Sequence, residues 1–260
     1  MNINMEGKTA LVCGSSQGIG KAAAIELASL GARVVLMARN EMALQSALAE
    51  LPGTAEHTYL VADFSDYNSV AHAVNSFLQN GSIIHVLVNN TGGPPAGPIS
   101  QARIEEFTQA FHNHLLCNHT LAQAVIPGMK AAGYGRIINV ISTSVKQPLR
   151  GLGVSNTIRA AVANWAKTLS AEVASFGITV NNVLPGATAT VRLDAIINNK
   201  TQKTGVTREA AEAEMLHEIP AGRFGQPEEI AAAIAFLATP AAAYINGVNV
   251  PVDGGRTGCL

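Results

Sequence analysis

Charge is sparse in this chain. Asp, Glu, Lys and Arg make up 13% of its 260 residues, and 17 basic side chains set against 18 acidic ones leave a formal net charge of −1. No basic run exceeds a couple of residues, so the electrostatic footprint of a nucleic-acid binder is missing. Cysteine is equally thin. Cys13, Cys117 and Cys259 are odd in number, far apart and without metal-ligand spacing, which argues against a disulfide framework and a zinc site and fits three reduced thiols. No apolar run approaches the roughly 20 residues of a membrane span. The stretch from Met1 to Lys8 lacks the basic-then-apolar pattern of a signal peptide. The expectation is a soluble, cytoplasmic protein with no nucleic-acid partner, no membrane partner and no metal.

What the chain has instead is apolar surface, 48% of its residues, with alanine abundant. That much apolar area supports a substantial core and favours an oligomer over a lone monomer. Short β-rich runs alternate with helical patterns. Strands are expected at Thr9 to Cys13, Arg33 to Met37, His57 to Val61, His85 to Val88, Arg136 to Ile141, Thr179 to Leu184 and Val248 to Val250. Helices are expected at Lys21 to Leu30, Glu41 to Glu50, Ser69 to Gln79, Ile104 to Ala132, Val154 to Phe176 and Pro227 to Ala238. Near-continuous apolar strands separated by helices imply a parallel sheet covered on both faces, and right-handed crossovers wind it doubly. The predicted fold class is therefore α/β, a Rossmann-like sheet of about seven parallel strands in one domain over residues 1–260. The long strandless stretch 186–225 follows a strand end, where such sheets bind ligands, and reads as a substrate lid.

The first strand runs into Gly14-Ser15-Ser16-Gln17-Gly18-Ile19-Gly20 and then an alanine-rich helix. Gly14 suits the tight strand-to-helix turn, Gly18 lets the backbone approach a pyrophosphate, and Gly20 permits close helix packing. The helix N-terminus offers unpaired N–H groups to the anion. A glycine triplet placed between a first strand and a first helix is a strong dinucleotide signal. After the second strand, where an acidic residue would hold the ribose hydroxyls of NAD, stand Arg39 and Asn40. A guanidinium there pairs with a 2′-phosphate, which favours NADP(H) over NAD(H).

In order and at matching spacing, these residues resemble the short-chain dehydrogenase/reductase family, and the resemblance runs through almost the whole chain. Asp63, followed by Phe64, resembles the family's adenine-side aspartate. Asn89-Asn90-Thr91-Gly92 resembles its Asn-Asn-Ala-Gly motif, Ile138 to Ser142 its catalytic serine strand, and Pro185-Gly186-Ala187-Thr188 its nicotinamide-side turn. Arg223 to Glu229 and Val252 to Gly255 resemble its C-terminal hallmarks. The resemblance implies a homodimer or homotetramer, and a Ser, Tyr and Lys acting together with an Asn from the preceding long helix. Ser142 is present. Thirteen residues on, at the tyrosine position, stands Ser155, and four further, at the lysine position, stands Arg159. The asparagine position falls on His114, with Asn113 beside it.

The implied activity is an oxidoreductase acting on a carbonyl or alcohol, on a small-molecule or acyl substrate, with an altered proton-transfer site. An alkyl hydroxyl is a far weaker acid than a tyrosine, whose pKa is near about 10, so Ser155 needs a proton source behind it. His114 has an unperturbed pKa suited to proton exchange at neutral pH and is the candidate relay, beside water. A hydrolase-like Ser155–His114 pair lacks a strained elbow and an acidic third member. Lys146 and Arg150 would lie near the mouth, as substrate selectors or as solvated loop charges. The other reading is an NADP(H)-binding sensor or scaffold with little or no dehydrogenase activity.

Overall fold

A computed structural model describes residues 1–259. From the N-terminus the chain forms β1 (Thr9–Cys13), α1 (Gly18–Ser29), β2 (Arg33–Ala38), α2 (Glu41–Ala49), β3 (Thr58–Val61), α3 (Tyr67–Leu78) and β4 (Val86–Asn89). It continues through α4 (Ile104–Phe111), α5 (Cys117–Ala132), β5 (Gly135–Val140), α6 (Gly153–Val173) and β6 (Ile178–Pro185). The last elements are α7 (Val191–Thr204), α8 (Arg208–His217), α9 (Pro227–Ala238) and β7 (Asn249–Val252). Among the described residues, seven strands pair in parallel in the order β3-β2-β1-β4-β5-β6-β7. The order reverses between β1 and β4, which opens a crevice beyond their carboxyl ends.

The alternation within each strand explains why the strands read as unbroken apolar runs. Ala10, Val12, Val34, Leu36, Val86 and Val88 point to one face, where α1 and α9 cover them. Leu11, Cys13, Val35, Met37, Leu87 and Ile137 point to the other, under α3, α5 and α6. A strand buried on both faces cannot alternate with polar residues. The edge strand β7 tolerates Pro251, which central strands exclude.

One polar row crosses this apolar sheet. Asn89, Asn139, Asn182 and Asn249 sit in register on β4, β5, β6 and β7. Asn89 Nδ2 donates to Asn139 Oδ1 at 2.9 Å, Asn139 to Asn182 at 2.9 Å, and Asn182 to Asn249 at 2.8 Å. A slip of one residue in any of these pairings would bury unpaired amides.

Two elements differ from expectation. The single helix over Ile104 to Ala132 is interrupted by a π-helical turn at His112–Leu116, which inserts an extra residue and re-aims the side chains around it. The strandless stretch 186–225 holds α7 and α8. Thr190 caps the first by accepting Leu193 N–H at 3.4 Å, and Thr207 caps the second by accepting Ala210 N–H at 3.2 Å. Among the described residues no helix is long and apolar enough to cross a membrane.

Candidate functional site

A cleft of about 1020 Å³ opens at the carboxyl ends of the strands, beneath α7 and α8. The glycine loop forms one wall. Gly14 takes φ +57°, and a Cβ there would lie 2.5 Å from Asn90 O. A Cβ on Gly20 would lie 2.3 Å from Gly14 O, while Gly18, at φ +58°, faces Thr190. Gly14, Gln17, Gly18 and Ile19 line the cleft. Ser16 is half-buried beside them. Ser15 points away. It is fully buried, and its hydroxyl accepts the Met37 N–H at 3.0 Å, so its side chain ties the loop to β2. Asn90 Nδ2 donates to Cys13 O at 3.2 Å and Gly14 O at 3.3 Å, locking β4 to the loop.

Arg39 and Asn40 stand exposed after β2. Asn40 caps α2 by accepting the Ala43 N–H at 3.1 Å. The Asp63 carboxylate is held below its ordinary pKa, chiefly by the Ser65 N–H at 2.9 Å and in smaller part by the Arg39 charge. Phe64 packs into the core beneath α3 and α5, and its carbonyl accepts the Cys117 thiol at 3.3 Å.

The opposite wall carries the candidate chemistry. Ser142, Ser155 and Arg159 all line the cleft with Thr91, Gly92, Pro185, Gly186 and Thr188. Ser142 Oγ accepts the Ser144 N–H at 3.1 Å and is half-buried. Ser155 and Arg159 are one turn apart on α6. Arg159 is buried, donates from Nη1 to Val140 O at 2.7 Å, and has no partner for Nε. Burial, reinforced by the charge of Arg192, lowers its pKa to about 10.

His114, delivered inward by the π-turn, is 2% exposed. Its Nδ1 shares a hydrogen bond with Thr91 Oγ1 at 2.7 Å, and its Nε2 has no partner. The sequence suggests a histidine able to exchange protons at neutral pH, and the structure places this one in a buried setting that disfavours its charged form. Burial, then the charges of Arg159 and Arg192, holds the imidazole pKa well below its usual value, so the ring stays neutral. Its Nδ1 serves Thr91, and no hydrogen bond joins it to Ser155. Asn113 turns aside, its amide lying against Gln109 and the Phe64 carbonyl. His112 packs against Tyr67, and His119 accepts from Trp165 Nε1 at 3.3 Å. Among the described residues no cluster could hold a metal ion. Of the two loop cations, Arg150 lines the cleft and Lys146 does not.

A family model described as Enoyl-(Acyl carrier protein) reductase matches residues 14–257, and curated relatives match from end to end. A 3-oxoacyl-[acyl-carrier-protein] reductase of Vibrio cholerae is 36% identical over 97% of this chain and 98% of its own. The chain belongs to the short-chain dehydrogenase/reductase family. An NADPH-dependent reductase of Bacillus subtilis is 33% identical over 96% of this chain and 98% of its own. The structure of L-sorbose reductase from Gluconobacter frateurii, complexed with NADPH and L-sorbose, superposes over the whole of both chains with a TM-score of 0.93 at 31% identity.

Several short-chain family motifs act here as supports. A Cβ on Gly186 would meet Asp253 Cα at 2.7 Å, so the Pro-Gly turn rests on the C-terminal segment. Asp253 in turn accepts from Thr257 N at 2.8 Å and Gly255 N at 3.0 Å. Arg223 grips Glu229 with two bonds of 2.7 and 2.6 Å, and Ala189 N donates to Gly225 O at 2.8 Å, which fixes the base of the α7–α8 segment. Thr188 is buried, with its hydroxyl on Gly186 O at 3.1 Å. Sequence reasoning missed Arg192, which reaches from the first turn of α7 across the mouth to donate to Pro94 O at 2.5 Å. Its signal was present, since the Thr190 cap places a helix start over the cleft.

Proposed function

We propose that the protein is an NADP(H)-dependent oxidoreductase acting on a carbonyl or alcohol, with an altered proton-transfer site. The observation that carries this reading is convergence: the glycine loop, Ser142, Ser155 and Arg159 line one cleft. The cradle fits a dinucleotide, because side chains at Gly14 and Gly20 would collide with backbone or with Asn90, and Gly18 takes a left-handed conformation at the N-terminus of α1. In this reading the N–H groups at the start of α1 hold the pyrophosphate, Arg39 the 2′-phosphate, Asp63 the adenine, and Asn90 to Gly92 with Arg159 the nicotinamide ribose. Thr188 and the Pro185-Gly186 turn face the carboxamide. When bound, the nicotinamide supplies or accepts a hydride.

The protein's own part is polarisation and proton supply. The Ser142 hydroxyl donates to the substrate oxygen, and the Arg159 guanidinium, facing the same cleft, favours negative charge there. Ser155, backed by water, closes the proton path. Neutral His114 orients Thr91 and does not act as an imidazolium acid. A poised general acid is worth roughly 10²- to 10⁴-fold, so turnover is slow without the tyrosine.

A second reading, an NADP(H)-binding sensor or scaffold, is favoured by one observation: Thr91 occupies His114 Nδ1, and no hydrogen bond joins the ring to Ser155. Titration with NADPH and NADH, followed by nicotinamide fluorescence and then by absorbance decay with ketones, diketones and acyl thioesters, separates the two. The expected result is tighter NADPH binding and slow turnover that rises on the double change Ser155→Tyr, Arg159→Lys. Tight binding without turnover in either form supports the sensor, and no binding removes both readings.

A further inference from the structure

We propose that the compound taken by this cleft carries a carboxylate beside or near its reacting carbonyl, and that Arg192 is the residue that selects it. The proposal rests on the oxidoreductase reading for its substrate and on separate observations for its charge.

The cations around the cleft divide into two groups. At the outer end Lys200 pairs with Glu214 at 2.7 Å and Arg256 with Glu218, while Arg150 and Lys203 are exposed to solvent. At the inner end Arg159 and Arg192 face the cavity with no carboxylate among the described residues, and their hydrogen bonds go to Val140 O and Pro94 O. The two guanidiniums converge on Gly93. A Cβ built there would lie 3.3 Å from Arg192 Nη2 and 3.7 Å from Arg159 Nη2, so the missing side chain keeps the space between them open. Each pays for burial in a lowered pKa, and Arg159 pays further for the nearness of Arg192. Like charges brought together in a partly desolvated cleft are unfavourable until an anion joins them.

Helix stability does not explain Arg192. A cation in the first turn of α7 opposes the helix dipole, whose N-terminus prefers negative charge. Nor are the neighbouring polar groups spent: Arg159 Nε and His114 Nε2 are both buried without partners. A planar guanidinium matches a carboxylate with two parallel bonds, and Arg192 presents one from the first turn of α7 toward Gly93.

The test uses the NADPH-loaded full-length protein with 2-oxo-4-phenylbutanoate, 4-oxo-4-phenylbutanoate and the ethyl ester of each, measuring binding by calorimetry and turnover by absorbance. At least one acid should bind about 10- to 100-fold more tightly than its ester, the range expected for hydrogen bonds to a charged group. Arg192→Leu should erase that preference while changing NADPH affinity by less than about threefold, and Arg192→Lys should keep part of it. Equal affinity of acids and esters, or no binding by either acid, overturns the proposal. So does a fall in NADPH affinity in Arg192→Leu as large as the fall in acid affinity, which would assign Arg192 to the cofactor. Acid-selective binding without turnover of any probe sustains the carboxylate site and removes the oxidoreductase reading. Turnover of esters as fast as acids, with equal binding, does the reverse.

Discussion

Two buried polar rows lie side by side at the carboxyl ends of β4 and β5, and they treat their hydrogen-bonding capacity in opposite ways. The asparagine ladder from Asn89 to Asn249 passes one amide hydrogen to each next strand, and within it only the Asn89 Oδ1 end lacks a partner. The neighbouring row, Thr91, His114 and Arg159, makes one internal bond and leaves His114 Nε2 and Arg159 Nε open. In a low-dielectric interior a closed network specifies structure, whereas an open one costs stability and is retained where a ligand can complete it. The difference separates a floor that sets register from a wall that keeps polar groups unpaired beside the cleft.

The sharpest way to break the comparison is to open the closed row. Asn139→Ala removes both a donor and an acceptor from the middle of the ladder, stranding Asn89 Nδ2 and Asn182 Oδ1. Leaving a buried polar group unsatisfied costs about 1–3 kcal/mol, so a loss of roughly 2–5 kcal/mol is expected in urea unfolding. A loss under about 1 kcal/mol would mean that the ladder is incidental to register.

The floor was half legible in the sequence. Unbroken apolar runs at β1, β2 and β4 announce strands buried on both faces, and the loop from Gly14 to Gly20 announces the phosphate cradle, because both depend on local residue order. The ladder was not legible, since four asparagines far apart in the chain become neighbours only once register is set. The helices α7 and α8 were missed although Thr190, Thr207 and Gly205 are ordinary helix punctuation; their polar sequences gave no apolar stripe to follow. The π-turn has no local signature, yet it turns His114 inward and away from the path Asn113 takes. Burial is a tertiary property, so the neutral state of His114 could not be read from its residue type, and neither could the approach of Arg192 to Arg159.

A smaller effect is expected from the one closed bond of the open row. Thr91→Val keeps the shape but leaves His114 Nδ1 without a partner, for a loss of about 1–3 kcal/mol in urea unfolding. In a double-mutant cycle with His114→Asn the two changes should be non-additive by at least about 0.5 kcal/mol, because each removes the same bond. Additive losses would show that Thr91 and His114 do not act together.

The smallest effect, and the one that tests whether the open row is held neutral, is in the pH dependence of stability. His114 keeps a depressed pKa when folded, while the unfolded chain titrates near about 6.5. Above that value both states are neutral at this site and stability is unaffected. As the pH falls through about 6.5 the unfolded chain takes up a proton that the folded protein refuses, and stability drops by up to about 1.4 kcal/mol per pH unit for each such group. His85, depressed by burial and by Lys8, adds its own share, and Asp63, held low by the Ser65 N–H, titrates below this window. His114→Asn should therefore remove one proton's worth of slope, so that variant and parent, apart by a constant amount above pH 7, draw together toward pH 5. Parallel curves down to pH 5 would mean that His114 takes up its proton in place, which requires that water reach the ring despite its burial, or that the charges of Arg159 and Arg192 be screened from it.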